Sequence, residues 1–103
     1  MLLAVDVGNT QTVLGLFDGE TLGAHWRIAT EAERTSDEIG ALVARLLELE
    51  DHGFEEVDAV CLSTTVPSLV REYTDFAVRY AEAPILVVGP GTTTGVPIRY
   101  DDP

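Results

Sequence analysis

The stretch LLAVDVGNTQTVLGLF at residues 2–17 contains two apolar runs separated by a short polar turn. The first run is interrupted only by Asp6, and the letters GNT at residues 8–10 separate it from the second. Short apolar runs bounded by Gly and Asn are typical of strands joined by tight turns. The stretch therefore predicts a buried strand followed directly by an antiparallel partner.

A third strand and a first helix are predicted next. Apolar residues alternate with others over residues 22–29, which predicts a strand whose apolar face carries Leu22, Ala24, Trp26 and Ile28. Thr35 and Glu38 have the spacing of a capping box, in which each side chain bonds the backbone amide of the other residue. Apolar residues then follow at helical spacing, and Gly53 is the predicted stop.

The rest of the chain predicts two further strands on either side of a second helix. Apolar runs over residues 57–62 and 85–88 predict the strands. Between them, Pro67 stands where a first helical turn tolerates proline, and the helical spacing continues to Tyr80. The order β-β-β-α-β-α-β predicts an α/β fold, with a mixed sheet and helices on the sheet faces.

Composition limits the functions that the chain can have. Its 103 residues suffice for one domain, and 18 acids against 6 bases give a net charge of −12. All the bases are arginine, so a lysine-dependent phosphate loop and a Schiff-base lysine are excluded. The acidic excess argues against nucleic-acid partners. Cys61 is the single cysteine, and neither a signal sequence nor an apolar run of ~18 residues is found, so we expect no membrane partner and a cytoplasmic protein.

Polar residues at the end of the first strand form the candidate site. A carboxylate at Asp6, in a strand expected to be buried, is costly unless it is paired or bound to a cation. Gly8 allows a sharp turn, and Asn9, Thr10 and Thr12 offer polar groups beside exposed amides. A carboxylate for Mg²⁺ next to amides and hydroxyls can hold a nucleoside triphosphate without lysine. The alternative is an ordinary hairpin turn that Asp6 caps.

A second polar cluster, STT at residues 63–65, follows the fourth strand and precedes a helix. In a sheet of this order we expect its hydroxyls to face the same edge as the hairpin, where helix amides attract anions. The alternative is a simple helix cap. His25 and His52 lack metal-ligand spacing, so we interpret them as surface residues, and Cys61 as a packing residue.

The segment DVGNT at residues 6–10 resembles the first phosphate motif of the acetate kinase, sugar kinase, Hsp70 and actin superfamily, whose domains have an RNase H-like, actin-like ATPase fold. More specifically, the chain resembles the N-terminal half of a bacterial type III pantothenate kinase. The segments that carry the resemblance are DVGNTQTVLGLFDG at 6–19, HWRIAT at 25–30, RTSDE at 34–38, STTVP at 63–67 and VVGPGTTTGVPIRYDDP at 87–103. They follow one another with family-like spacing.

This resemblance implies ATP-dependent phosphorylation of pantothenate at its 4′-hydroxyl, the first step of coenzyme A biosynthesis. It also implies a homodimer that uses Mg²⁺ and a monovalent cation, K⁺ or NH₄⁺. Carried over by position, Asp6 would organise Mg²⁺ and the phosphates, with Gly8, Asn9, Thr10 and Thr12 lining the phosphate turn. The pantothenate pocket would involve Gly95, Val96, Ile98 and Tyr100.

Two motifs of the family are not found in the sequence. Relatives continue after the Asp-Pro that corresponds to Asp102 and Pro103 with Gly-Ala-Asp-Arg, whose aspartate is the catalytic base, and later with an Asp-Phe-Gly-Thr phosphate motif. The resemblance thus implies that the base follows just after Pro103 and that no catalytic residue lies within residues 1–103. We therefore expect these residues to be one N-terminal RNase H-like domain, truncated before the base and inactive alone. The second half, with its monovalent cation site, would be missing.

Two alternative functions remain open. One is a non-catalytic, kinase-like regulator that binds a ligand. The other is an RNase H-like nuclease, which needs a second carboxylate where LST stands at residues 62–64.

Overall fold

The computed structural model describes residues 1–88 of the chain. The elements are β1 (Leu2–Val7), β2 (Gln11–Asp18), β3 (Thr21–Ala29), α1 (Ser36–Leu49), β4 (Ala59–Thr64), α2 (Pro67–Phe76) and β5 (Ile85–Val88). A 3₁₀ turn at Phe54–Glu56 precedes β4, and a π-helical turn at Ala77–Ala81 follows α2. The predicted order of strands and helices is confirmed. Neither helix in residues 1–88 has the length and apolarity that a membrane span needs.

The five strands form one mixed sheet with the order β3-β2-β1-β4-β5. The central strand β1 pairs antiparallel with β2 and parallel with β4. Register places Asp6 opposite Val13 on one side and opposite Ser63 on the other. The end of β1 therefore lies between the start of β2 and the end of β4.

Both described helices pack on the same face of the sheet. Leu3, Val5 and Val7 of β1 are almost fully buried, and they share one hydrophobic core with α1 and α2. The helices contribute Ile39, Val43, Leu47, Leu69, Tyr73 and Phe76. The opposite face, which we call the open face, carries exposed or half-buried side chains: Ala4, Asp6, Val13, Phe17, Cys61 and Ser63. The prediction of helices on the sheet faces thus holds for one face of the described part of the chain.

The start of α1 is as predicted, but its end is not. Thr35 accepts a hydrogen bond from the Glu38 amide at 3.2 Å, and the Thr35 amide donates to the Glu38 carboxylate at 2.9 Å, which confirms the capping box. The helix ends at Leu49, and Asp51 adopts a left-handed conformation with φ 63°. The predicted stop, Gly53, lies beyond this turn in extended backbone. Aspartate tolerates the left-handed region better than most residues, so no glycine is needed there.

A β-bulge changes the orientation of one residue of β3. The pairing of β2 with β3 shifts by one residue between Gly15 and Phe17, so Leu22 pairs with Phe17 and is 47% exposed. Trp26 and Ile28 pack against the core as predicted. The expectation that Leu22 shares their face is wrong, because one extra residue reverses the side-chain alternation beyond the bulge.

Charged side chains connect the two helices. The Ser36 amide donates to Glu72 at 2.8 Å, and the Ser36 hydroxyl donates to Asp75 at 2.7 Å. Arg79 forms ion pairs with Asp75 at 3.1 Å and with Asp37 at 3.0 Å. The hydrogen bonds from Ser36 and then from Arg79 lower the pKa of Asp75. The first amides of a helix have no partner within the helix, and here the bond from the Ser36 amide to Glu72 fixes the N-terminus of α1 to α2.

Gly40 of α1 lies against the Tyr80 ring of the π-helical turn. A methyl group at Gly40 would lie 2.7 Å from Cδ2 of the Tyr80 ring. The ring is held in place, because the Tyr80 hydroxyl donates to Asp37 and the Arg79 guanidinium lies 5.1 Å from the ring centroid. Glycine is therefore required at position 40 for this packing.

Candidate functional site

Asp6 lies near the end of β1 on the open face, and its side chain is exposed. Within residues 1–88, no other side chain forms a hydrogen bond or ion pair with its carboxylate. The expectation that this carboxylate is buried is wrong, because the helices cover the face to which Val5 and Val7 point. Asp6 is accordingly a solvent-accessible anionic group.

The turn between β1 and β2 is exposed to solvent at its tip. Its first bond runs from the Gly8 amide to the Gln11 carbonyl at 2.9 Å, and a methyl group at Gly8 would lie 3.2 Å from that oxygen. Asn9 and Thr10 are exposed. The Thr30 amide donates to the Thr10 carbonyl at 2.9 Å, so the end of β3 holds the turn in place. This arrangement leaves the polar groups of residues 9 and 10 accessible to a ligand.

Thr12 lies on the other side of the sheet. Its side chain is 2% exposed, and its hydroxyl bonds that of Thr30 at 2.8 Å. Register pairs Thr12 with Val7, whereas Asp6 pairs with Val13. Thr12 therefore faces the core, and the structure does not bring its hydroxyl together with Asp6. Its contact with Thr30 supports the turn from the core side, because the Thr30 amide donates to the Thr10 carbonyl of the turn.

The three hydroxyl residues at 63–65 point in different directions. Thr64 is 7% exposed, and its hydroxyl accepts a bond from the Val66 amide at 2.8 Å, next to the start of α2. The Thr65 hydroxyl donates to the Asn9 side chain at 3.4 Å. Ser63 is half-buried on the open face beside Asp6. The expectation of a shared edge thus holds for Ser63 and Thr65 but not for Thr64.

A cavity of about 390 Å³ opens on the same face. Asp6 and Ser63 contribute its polar wall, and Phe17 and Leu22 contribute apolar surface. His25 also lines it, and this residue is exposed, as the sequence predicts for a surface histidine. Position 25 pairs with Gly15 just before the bulge, and the spacing of residues in the sequence does not predict this position beside the cavity. The cavity falls within the size range of small-molecule sites, about 300–1,000 Å³.

The donor set suits Mg²⁺ shared with a phosphate ligand. Within residues 1–88, no group of three or more His, Cys, Asp or Glu side chains is placed to hold a metal ion. Mg²⁺ is commonly bound through one or two carboxylates, with substrate phosphates and water completing its coordination. An accessible, unpaired carboxylate at Asp6 next to the exposed residues Asn9 and Thr10 fits that mode.

The remaining site predictions fall on positions after residue 88. The predicted pantothenate residues, Gly95, Val96, Ile98 and Tyr100, lie outside the described residues. So does Pro103, the residue after which the family resemblance places the catalytic base. The part of the candidate site that the structure describes is therefore the phosphate turn and its surroundings, and the position of the base stays a prediction.

Comparison with solved structures identifies the fold. A Porphyromonas gingivalis protein provisionally assigned as an N-acetylglucosamine kinase matches with a TM-score of 0.59 and 18% identity, over 86% of this chain and 34% of that one. RuvC from Thermus thermophilus matches with a TM-score of 0.52 and 19% identity, over 86% of this chain and 63% of that one. At such identities the likeness concerns the fold alone, and the predicted α/β, RNase H-like class is confirmed.

Sequence comparison identifies the family. Type III pantothenate kinases from Acidothermus cellulolyticus and Rubrobacter xylanophilus are both 48% identical to the chain, and that from Geobacter sulfurreducens is 46% identical. Each match covers 100% of this chain, which spans about two fifths of the length of these curated relatives, 39–40%. The family model for type III pantothenate kinase matches residues 2–103. The chain belongs to the type III pantothenate kinase family.

Proposed function

We propose that the chain is the N-terminal, phosphate-binding domain of an enzyme that transfers the γ-phosphoryl group of ATP to the 4′-hydroxyl of pantothenate. Family membership over residues 2–103 supports this proposal. The observation that carries it is the accessible Asp6 carboxylate beside the exposed turn of residues 8–10. An isolated hairpin turn would need no carboxylate at this position of the central strand.

The physical logic of the site starts from its charge. A lone Asp6 carboxylate, on a chain with a net charge of −12, repels a bare polyphosphate. Mg²⁺, when bound, neutralises charge on the phosphates and makes binding beside Asp6 favourable. Backbone amides of the turn can then donate to phosphate oxygens, and Gly8 keeps that backbone uncovered. Positioning and charge neutralisation supply most of the rate in phosphoryl transfer.

The finer features of the proposal come from the family resemblance. We propose that the complete enzyme is a cytoplasmic homodimer that uses Mg²⁺ and K⁺ or NH₄⁺, with the pantothenate pocket near Gly95, Val96, Ile98 and Tyr100. Thr12 contributes through its bond to Thr30, which steadies the turn. Because the resemblance puts the base just after Pro103, we expect no turnover by residues 1–103 alone, measured in a coupled assay with ATP, Mg²⁺, K⁺ and pantothenate.

A binding experiment tests the role of Asp6. We titrate the ¹⁵N-labelled chain with Mg·ATP and follow amide shifts, expecting the largest shifts at residues 6–10. Asp6→Asn removes the charge and should weaken binding about 10-fold to 100-fold, as for a charge-assisted contact. Asp18→Asn is the matched control, since this exposed acid lies at the far end of β2. Equal affinities of the two variants, or no binding by the wild type, would contradict the proposal.

Neither alternative function gains support from a specific observation. A two-metal nuclease needs a second carboxylate beside Asp6 at the end of β4, and the residue paired there is Ser63. A ligand-binding regulator could use the same turn, and an assay of phosphoryl transfer by a longer chain would distinguish it from the enzyme. The intact DVGNT at residues 6–10 favours the enzyme.

A further inference from the structure

We propose that Ser63 is a further ligand-contacting residue of the Asp6 site, with its hydroxyl donating to a phosphate oxygen of Mg·ATP. This inference rests on the proposed function. It assigns one hydroxyl of the STT cluster at residues 63–65 to the ligand and gives the hydroxyls of Thr64 and Thr65 no such role.

The first support is position. Ser63 of β4 is the residue paired with Asp6 of β1 in parallel register, so their side chains leave the sheet on the same face. Neighbouring strands lie about 4.8 Å apart, which puts the two side chains within reach of one ligand group. Both residues line the cavity on the open face.

The second support is the use of the hydroxyl groups. Thr64 bonds the Val66 amide next to the start of α2, and Thr65 bonds Asn9. Ser63 is half-buried, and within residues 1–88 its hydroxyl has no hydrogen-bond partner. Solvent reaches this hydroxyl, because the buried side-chain polar atom without a partner in residues 1–88 is Trp26 Nε1 and not Ser63 Oγ. Of the three hydroxyls, that of Ser63 is the one without a hydrogen-bond partner in residues 1–88, so a ligand can bind it without breaking a bond within the chain.

The third support is chemical complementarity. Asp6 can only accept hydrogen bonds or bind a cation, whereas the Ser63 hydroxyl has a proton to donate. A phosphate group neutralised by Mg²⁺ offers acceptor oxygens next to the cation. The pair therefore provides one group for each component of a metal–phosphate ligand. The other walls of the cavity near this pair, Ala4 and Val13, are apolar and do not compete for the ligand.

Variants of Ser63 test the inference by Mg·ATP titration of the ¹⁵N-labelled chain. We expect Ser63→Ala to weaken binding about fivefold to tenfold, the loss of one hydroxyl hydrogen bond. Ser63→Cys keeps the side-chain size with a poor donor and should lose as much. Ser63→Thr keeps the hydroxyl and should bind like the wild type. Ser68→Ala is the control, because this exposed hydroxyl donates to the Ala32 carbonyl and does not line the cavity that holds Asp6 and Ser63.

Each outcome decides the matter. Wild-type affinity in Ser63→Ala, or in Ser63→Cys if the alanine variant does not fold, overturns the inference. Binding by Ser63→Thr as weak as that of Ser63→Ala also overturns it, because shape and not the hydroxyl then determines affinity. If the wild-type chain binds no Mg·ATP, the proposed function fails and the inference with it. If the wild-type chain binds Mg·ATP and the Ser63 variants bind equally well, the inference about Ser63 fails while the proposed function stands.

Discussion

Replacement of Gly40 by alanine should destabilise the fold, although alanine is the better helix former. The new methyl group would lie 2.7 Å from the Tyr80 ring, about 0.7 Å closer than ordinary van der Waals contact allows. Overpacking of this kind costs about 1–3 kcal/mol. The helix-propensity gain of alanine over glycine, about 0.5–1 kcal/mol, offsets part of it. The net expectation is a loss of unfolding free energy of up to about 2.5 kcal/mol.

The sign of this effect should depend on Tyr80. In a Tyr80→Ala background the ring is gone, so Gly40→Ala should stabilise by the helix-propensity gain alone, about 0.5–1 kcal/mol. Urea denaturation of the four proteins in the cycle measures both values. Ala41→Gly calibrates the propensity difference, because position 41 is the exposed neighbour on the same helix. In thermal unfolding, each kcal/mol should shift Tm by about 4–8 °C for a chain of this size.

Two results would refute the reasoning. Gly40→Ala could raise the stability of the wild type, which would mean that the Tyr80 ring moves aside at no cost. Alternatively, the substitution could destabilise both backgrounds equally, which would place the clash elsewhere. The contacts of the Tyr80 hydroxyl with Asp37 and of its ring with Arg79 argue against free movement.

Three further predictions concern the core and the helix contact. Burial raises the pKa of Tyr73 to about 12, so the stability that its neutral form contributes is fully present below pH 10 and is lost as pH rises towards 12. Tyr73→Phe should remove about 2 kcal/mol of this alkaline loss of unfolding free energy, measured by urea denaturation. An unchanged pH profile in the variant would contradict this prediction. The pKa of Asp75 is lowered, so its stabilisation is present above the pKa it has in the unfolded chain and is lost as pH falls through the lower folded value. Ser36→Ala removes the hydrogen bond that contributes most to lowering the pKa of Asp75, so the variant should lose less stability than the wild type between neutral pH and about pH 3. An equal loss in both proteins would count against the contact between Ser36 and Asp75. Thr12→Val should cost about 1–2 kcal/mol by leaving the Thr30 hydroxyl unpaired, whereas adding Thr30→Val should restore part of that loss; strictly additive losses would exclude the coupling.

The features predicted well from the sequence are those that depend on neighbouring residues. The capping box of Thr35 and Glu38 lies within one helical turn, and its two hydrogen bonds form as the spacing indicates. Pro67 begins α2 for an equally local reason, since its fixed φ suits the first turn. The left-handed residue after α1 was misplaced because Asp51 takes a role that sequence patterns assign to glycine.

The features that the sequence misplaced depend on contacts between distant strands. The bulge between Gly15 and Phe17 moves Leu22 to the open face; Gly23 lies at this point of β3, but a glycine within a strand does not by itself determine the register. The sequence predicts Asp6 as a site residue in a buried strand, and the structure shows it exposed, because a strand pattern does not tell how many faces helices cover. Proximity in sequence places Thr12 with the turn, whereas the pairing of β1 with β2 turns its side chain to the core.

The hydrophobic core determines the position of the candidate site. A slip of β1 by one residue would turn Leu3, Val5 and Val7 to the open face and place Asp6 among apolar side chains. Each displaced side chain would lose about 1.5–3 kcal/mol of burial, and the carboxylate would lose several more through desolvation. Register between Asp6 and Ser63 is therefore maintained by residues on the opposite face of the sheet. Substitutions at these two positions should remove ligand-binding groups while the core that aligns them stays intact, so losses of affinity can be assigned to the site itself.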